Sequence, residues 1–171
     1  MKILGLQRGI VALISHRPEW KLAFEAEKAE LRRILGPSLR IEHVGSTAVA
    51  GLDAKPIIDI AVAVTSLTDV DQYVESLRQL GYEYRGEAGV PGRRFFVKGP
   101  EEKRTTHLHF GEPDQEFASL VKFRDALRHN PRLVKQYSQL KGKLAQDFAN
   151  DRKRYTSGKH DFIQKVLKEG R

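Results

Sequence analysis

Residues 41–64, IEHVGSTAVAGLDAKPIIDIAVAV, form the stretch that decides the predicted fold. Two short apolar runs, one ending at Val44 and one covering 57–64, are typical of buried strands. A linker of small residues joins them and begins with Gly45. The second run carries a single acid, Asp59. Because an ionised carboxylate is costly to bury alone, Asp59 predicts a nearby cation, metal ion or set of hydrogen-bond donors.

Composition predicts a globular chain without a membrane segment. The 171 residues, 40% hydrophobic and 30% charged, are enough to bury a core as one domain. No apolar run approaches the ~20 residues that span a bilayer. Arg8 interrupts the apolar N-terminal residues, so no signal peptide is predicted. The lack of cysteine excludes disulfides and thiolate metal sites and favours a cytoplasmic location.

The net charge of +8 is concentrated near the C-terminus. Residues 1–114 contain 16 basic and 16 acidic side chains, whereas residues 115–171 contain 14 and 6. A cationic segment favours an anionic partner such as a nucleotide, a coenzyme or RNA. Charge counting alone favours the alternative, basic helices that face solvent.

The order of the elements predicts an α+β fold, with a small mixed β-sheet flanked by helices. The predicted strands are 10–14 at an edge of the sheet, 39–44, 57–64, 82–84, 93–98 and 105–110. The predicted helices are 18–35, 65–80, 113–129, 131–148 and 151–168. We expect a single domain over 1–171, in which the sheet-containing core (1–114) packs against a C-terminal helical extension (115–171).

The strand around Asp59 predicts a functional acid. Alternation places Ile57, Asp59 and Ala61 on one face of the strand, so Asp59 is the only acid on that face. Acids are seldom buried on central strands unless they are paired, which favours a metal ligand or a general base over a structural carboxylate. Lys55 either neutralises a phosphate or pairs with Asp59.

The Gly-Ser-Thr turn and several basic residues predict a phosphate site. The backbone amides of the turn and the hydroxyls of Ser46 and Thr47 can hold a phosphate or a metal-bound ligand, although such a tripeptide is as often an ordinary turn. Only one of Arg93 and Arg94 can face a given cleft, because they point to opposite sides of their strand. The candidate phosphate or ligand contacts are Gly45, Ser46, Thr47, Arg94, Arg124, Lys141 and Lys159, and for the last four a solvent-facing charge is the alternative.

A histidine pair completes the candidate site. His107 and His109 stand two residues apart on a predicted strand, so both imidazoles leave the same face. Such a pair favours contact with a metal or a phosphate. With Asp59 it would make a three-ligand site for a divalent metal, which His43 could also join.

Several segments together resemble the GrpB family, which implies a nucleotidyltransferase-like fold. The matching segments cover nearly the whole chain and are RPEW (17–20), IEHVGSTAVAGLDAKPIIDI (41–60), GRRFFVKG (92–99), HLHF (107–110), FRDALRHNPRLVKQYSQLK (123–141) and RYTSGK (154–159).

The resemblance also shows a departure from working nucleotidyltransferases. In those enzymes a Gly-Ser turn precedes a strand with two acids at alternate positions, and a third acid on a neighbouring strand helps to hold two metal ions. This chain keeps Gly45, Ser46 and Asp59, but Ile57 and Ala61 occupy the alternate positions. Imidazoles suit zinc, iron or nickel better than magnesium, so a one-metal reaction or ligand binding without turnover is expected.

Three functions follow in order of preference. The first is a transferase-like protein that binds or acts on a nucleotide-type phosphorylated small molecule, with Asp59 and Lys55 as the catalytic candidates. The second is a non-catalytic ligand-binding or regulatory module that has lost the carboxylate set. The third is RNA binding through the basic C-terminal helices. The oligomeric state is left open.

Overall fold

A five-stranded mixed sheet forms the centre of the fold in the computed structural model, which describes residues 4–169. The strands are β1 (Ile41–Val44), β2 (Ile58–Ala63), β3 (Tyr82–Tyr84), β4 (Arg93–Lys98) and β5 (Thr106–Gly111). Their order across the sheet is β1-β2-β5-β4-β3. Strand β2 pairs with β5 in parallel, and the other neighbouring pairs are antiparallel. The α+β class with a mixed sheet is therefore confirmed.

Six α-helices surround the sheet within residues 4–169. They are α1 (Glu19–Leu35), α2 (Val74–Gln79), α3 (Glu116–His129), α4 (Pro131–Asp147), α5 (Arg152–Ser157) and α6 (His160–Glu169). Short 3₁₀ turns occupy Ser46–Ala48, Leu67–Tyr73 and Glu101–Lys103. None of the helices in the described residues combines the length and apolar composition needed to cross a membrane.

The two faces of the sheet bury different partners. The face that carries Ile58, Ile60 and Val62 packs against Trp20 and the rest of the apolar side of α1, which forms the main core. On the other face, Phe117 of α3 packs against Val44, Ala61 and Ala63. Because successive strand residues point to opposite faces, Asp59 leaves the sheet on the side of α3, away from the main core.

Helices α4 and α5 pack against α3 and against segments outside the sheet. Tyr137 of α4 packs with Leu127 of α3 and with Val49 and Leu52 of the linker that follows β1. Tyr155 of α5 packs with Val11 and Leu144. These contacts place the basic C-terminal segment beside the Gly-Ser-Thr turn.

Two predicted elements differ from the structure. Residues 10–14 form no strand, because their backbone groups bond to two different segments. Val11 N donates to Ala149 O, and Ile14 makes an isolated bridge to Ala54. The predicted helix 151–168 is two helices, α5 and α6, which are separated at Gly158. A Cβ at Gly158 would lie 2.5 Å from a Leu144 methyl carbon, so close packing against α4 accompanies this break.

Candidate functional site

A cleft of about 990 Å³ opens on the Asp59 side of the sheet. Its walls come from the Gly-Ser-Thr turn, from β4 and β5, and from α4 to α6. Nine Lys and Arg residues line it against a single carboxylate, Asp59, among the described residues. These nine are Arg8, Lys55, Arg85, Arg93, Arg104, Lys141, Arg152, Lys153 and Lys159.

Three of the nine cations are paired with acids at the rim. Arg8, Arg85 and Arg104 form ion pairs with Glu101, and the last two also with Glu83. For the other six, no carboxylate oxygen of residues 4–169 lies within 4.0 Å of the charged nitrogens. A cleft with this excess of unpaired positive charge attracts anions.

Lys141 connects the Gly-Ser-Thr turn to the C-terminal helices. Its ammonium donates a hydrogen bond to Ser46 Oγ at 2.9 Å and another to the carbonyl of Asp53. Only 1% of the residue is exposed. Burial lowers the pKa of Lys141 to about 7, and the positive charge of Lys159 acts in the same direction. A bound anion would restore its full charge, because an opposite charge favours the protonated amine.

Lys55 and Lys159 meet over one aromatic ring. Their ammonium nitrogens lie 5.5 Å and 4.5 Å from the centroid of the Tyr155 ring, which attracts cations but cannot neutralise them. Burial lowers the pKa of Lys55 to about 8 and that of Lys159 to about 7. Three lysines whose ammonium forms are destabilised by burial therefore line the same cleft.

The structure brings Asp59, His107 and His109 together. Asp59 Oδ1 lies 3.2 Å from His107 Nδ1 and 3.2 Å from His109 Nε2, because Asp59 and His107 are register partners across β2 and β5. Burial raises the pKa of Asp59, but the hydrogen bonds from the two imidazoles outweigh it and hold that pKa well below its usual range. The partners of Asp59 are thus the two histidines and not Lys55, which makes no ion pair with a described carboxylate.

Hydrogen bonding determines the tautomer of His109. Arg93 Nη1 lies 3.3 Å from His109 Nδ1, and a guanidinium can only donate. His109 Nδ1 is therefore the acceptor, and the neutral ring carries its proton on Nε2, where it donates to Asp59. His107 donates from Nδ1 to the same oxygen, and its Nε2 is buried without a hydrogen-bond partner in the described residues.

The three side chains are also close enough together to hold one metal ion. One ligand atom from each of Asp59, His107 and His109 lies within 4.8 Å of the others. Two ligands of a tetrahedral ion with bonds of about 2.0–2.1 Å lie roughly 3.3 Å apart, close to the 3.2 Å between Asp59 and each imidazole. The cluster is therefore a possible Asp/His/His metal-binding arrangement.

Gly45 lies against Asp59 and has a backbone conformation that favours glycine. Its φ of 69° and ψ of −171° fall in a region that is essentially restricted to glycine. A Cβ at this position would lie 2.7 Å from Asp59 Oδ2. Glycine therefore lets the turn approach the carboxylate closely.

We expect Gly45→Ala to lower the free energy of unfolding by about 2 kcal/mol, because it strains the backbone and displaces Asp59. Gly51→Ala is the matched control: Gly51 also has a positive φ, 75°, but a Cβ there meets nothing within 4 Å. Chemical denaturation measures both variants. Equal losses in the two would show that contact with Asp59 contributes nothing.

Three predicted candidates lie away from the cleft. His43 is on the opposite face of the sheet from Asp59, where it stacks on Phe24 and hydrogen-bonds Thr47 Oγ1 at 2.9 Å. Arg94 also points away, because it shares a face with Phe96. Arg124 is buried in contacts with Glu42, with Asp125 and with the carbonyl of His43. These positions disfavour a ligand role for Arg94 and Arg124 and exclude His43 from the Asp/His/His cluster.

The other predicted residues line the cleft, together with some that the sequence did not indicate. Gly45, Ser46, Thr47, Lys55, Asp59, His107, His109, Lys141 and Lys159 all line it. The additions include Arg152 and Lys153, and Arg93 lines the cleft in place of Arg94. Alternation showed that only one of Arg93 and Arg94 could face the cleft. The pairing of Phe95 with His109 in the β4–β5 register identifies Arg93 as that one.

The fold of this chain is similar to that of a solved nucleotidyltransferase-like structure. The Cid1 poly(U) polymerase with MgGTP bound is similar to this chain with a TM-score of 0.52 and 16% identity, over 78% of this chain and 44% of that one. At this identity the likeness shows a shared nucleotidyltransferase-like fold alone.

The chain belongs to the GrpB family, since the family model described as GrpB protein matches residues 10–169. It is 38% identical to the glutamate-rich protein GrpB of Alkalihalophilus pseudofirmus, over 98% of this chain and 99% of that protein. The crystal structure of conserved protein GrpB from Enterococcus faecalis has a TM-score of 0.84 at 40% identity, over 93% of this chain and 96% of that one. Some relatives are longer: UPF0157 protein YqkA of Bacillus subtilis is 39% identical over 90% of this chain, which spans 45% of YqkA.

Proposed function

We propose that this protein binds a nucleotide-type phosphorylated ligand in the cationic cleft. The observation that carries the proposal is the set of six cleft Lys and Arg residues without a carboxylate partner in residues 4–169. Leaving several cations unpaired in a partly buried cleft is unfavourable, and a polyanionic ligand would relieve their mutual repulsion. Charge-assisted hydrogen bonds from Lys and Arg to phosphate oxygens are among the strongest polar contacts available to a protein.

The phosphates are expected near the Gly-Ser-Thr turn, where the lysines converge. Ser46 Oγ, Lys141 and Lys159 provide donors there, and Lys55 faces the same space. The hydroxyl of Thr47 is engaged by His43, so the contribution we assign to Thr47 is its backbone amide. Burial of the Lys141 amine beside Ser46 supports this assignment, because it leaves a preformed donor that faces the turn.

A single divalent metal ion at Asp59, His107 and His109 is the proposed cofactor. The ligand set supports zinc, iron or nickel over magnesium, because imidazole nitrogen is a softer ligand than carboxylate oxygen. A two-magnesium centre is disfavoured, since Ile57 and Ala61 stand where a second acid would be needed on that face. When bound, such an ion would polarise a phosphoryl oxygen. Asp59 and Lys55 remain the two proposed catalytic residues.

The missing second acid favours a second candidate, a non-catalytic module that binds the same class of ligand for sensing or regulation. The two candidates differ in product formation. Incubation of the protein with a nucleotide panel, with and without a divalent metal, followed by mass spectrometry separates them. A metal-dependent product supports the transferase-like candidate, and unchanged nucleotide supports the binding module.

Thermal unfolding with a ligand panel tests the proposal. We expect a nucleoside triphosphate to raise the Tm by about 5 °C or more near 100 times its dissociation constant, because binding to the folded state stabilises it. The matching nucleoside, which lacks phosphate, should leave the Tm unchanged. Stabilisation by the nucleoside and the triphosphate alike would contradict phosphate recognition. Stabilisation by single-stranded RNA alone would favour the basic helices as the binding surface.

A further inference from the structure

We propose that Arg93 makes metal binding at Asp59, His107 and His109 conditional on an anion in the cleft. The inference rests on the proposed function and adds a coupling between its two ligands. Arg93 lines the cleft and also hydrogen-bonds His109, so it belongs to both parts of the site.

Arg93 and a bound metal ion favour different tautomers of His109. A metal at Nε2 must displace the proton that Nε2 donates to Asp59, and the neutral ring then carries its proton on Nδ1. That N–H would face Arg93 Nη1, 3.3 Å away, which is itself a donor. Metal-bound histidines usually donate their second N–H to an acceptor, and here the neighbour is the opposite kind of group.

The charge of Arg93 acts in the same direction. Its guanidinium carbon lies 4.4 Å from the centroid of the Phe95 ring, and that ring packs against both imidazoles. A fixed positive charge on one side of His109 repels a divalent cation on the other. Nothing in residues 4–169 neutralises Arg93 through a direct ion pair within 4.0 Å.

An anion in the cleft would remove this obstacle. Arg93 is anchored through Nε to the carbonyl of Glu87 and through Nη2 to that of Ala88, so Nη1 is the end that contacts His109. Because the guanidinium is planar, its hydrogens move only with the whole group. A phosphate oxygen that accepts from Arg93 in place of His109 shifts the guanidinium away from the imidazole and compensates its charge. His109 Nδ1 is then free to carry its proton. By linkage, the anion and the metal each strengthen the binding of the other to the same extent.

Cobalt titration tests the coupling, since Co²⁺ bound by imidazole and carboxylate absorbs visible light. We compare the wild type, Arg93→Met and Arg85→Met, each with and without sulfate, a tetrahedral dianion that chelates metals weakly. Arg85 is a matched control, because it lines the same cleft but pairs with Glu83 and Glu101. We expect Arg93→Met to bind Co²⁺ at least about 10-fold more tightly than the wild type without sulfate. Sulfate should tighten Co²⁺ binding by the wild type and by Arg85→Met, and leave Arg93→Met unchanged.

The outcomes separate the inference from the proposed function. Equal Co²⁺ affinities of the wild type and Arg93→Met, with or without sulfate, overturn the inference and leave the metal site standing. Absence of Co²⁺ binding by every protein overturns both the inference and the proposed metal. Tighter binding by Arg85→Met as well as Arg93→Met would also overturn the inference, since general loss of positive charge would then explain the effect.

Discussion

Asp59→Asn is expected to lower the affinity for Co²⁺ by more than about 100-fold, beyond the 10–100-fold effect of losing an outer-shell partner of a metal ligand. The carboxylate is the only anionic group in the Asp/His/His cluster, and a neutral amide oxygen is a much weaker ligand for a divalent cation. The substitution keeps the shape of the side chain, so the fold should persist. Titration in the Arg93→Met background, where we expect tighter binding, gives the largest measurable range.

Asp53→Asn is the matched control for that experiment. Asp53 is an exposed acid of the linker between β1 and β2, and its backbone carbonyl accepts a hydrogen bond from Lys141. Its replacement should leave Co²⁺ affinity unchanged. If Asp59→Asn and Asp53→Asn bound Co²⁺ equally well, the metal would have to lie elsewhere, and the role proposed for the cluster would be wrong.

The fold and the centre of the site follow from local sequence patterns. Alternation along β2 and β5 predicted that Asp59 would stand alone on its face and that His107 and His109 would share one. Their convergence depended on the parallel pairing of β2 with β5, and that pairing is set by contacts between distant segments. The predicted strands 93–98 and 105–110 were confirmed as the antiparallel neighbours β4 and β5, which only a short polar segment separates.

The remaining differences between the predicted and the observed site arise where tertiary packing determines which side chains face the cleft. The choice between Arg93 and Arg94 depends on the register of β4 against β5, and a shift of one residue reverses it. His43 lies across the sheet from Asp59 because its antiparallel partner is Ile60, one residue further along β2. For Lys141 the sequence did carry a signal, because its spacing from Tyr137 and Leu144 places it on the apolar face of α4. For Arg152 there was none, because its place in the cleft depends on the packing of α5 against Val11 and Leu144, which are distant in sequence.

The other large effect is expected from two lysines of the proposed phosphate site, Lys141, which is buried, and Lys159, which is half-buried. We expect the double variant Lys141→Met/Lys159→Met to lower the affinity for a nucleoside triphosphate by about 100-fold or more, at about 1.5–3 kcal/mol for each charged hydrogen bond. Methionine keeps much of the apolar volume of lysine, and removing ammonium groups whose charged form is destabilised in the cleft is compatible with folding. Lys143→Met/Lys165→Met is the control, because it replaces the same two side-chain types at exposed positions of α4 and α6. Equal losses of affinity in the two double variants would show that overall positive charge, and not contact from Lys141 and Lys159, explains the effect.

Calorimetric titration of a nucleoside triphosphate at pH 8, in two buffers with different enthalpies of ionisation, tests the central claim most directly. Burial lowers the pKa of Lys141 and of Lys159 to about 7, so both amines are mostly neutral at pH 8 in the free protein. Phosphate binding favours their charged forms and raises these pKa values, which requires protons from the buffer. The wild type should bind with uptake of about one to two protons, and Lys141→Met/Lys159→Met should lose both the affinity and the uptake. Absence of binding, or binding without proton uptake, would contradict a cleft in which Lys141 and Lys159 hold the phosphates.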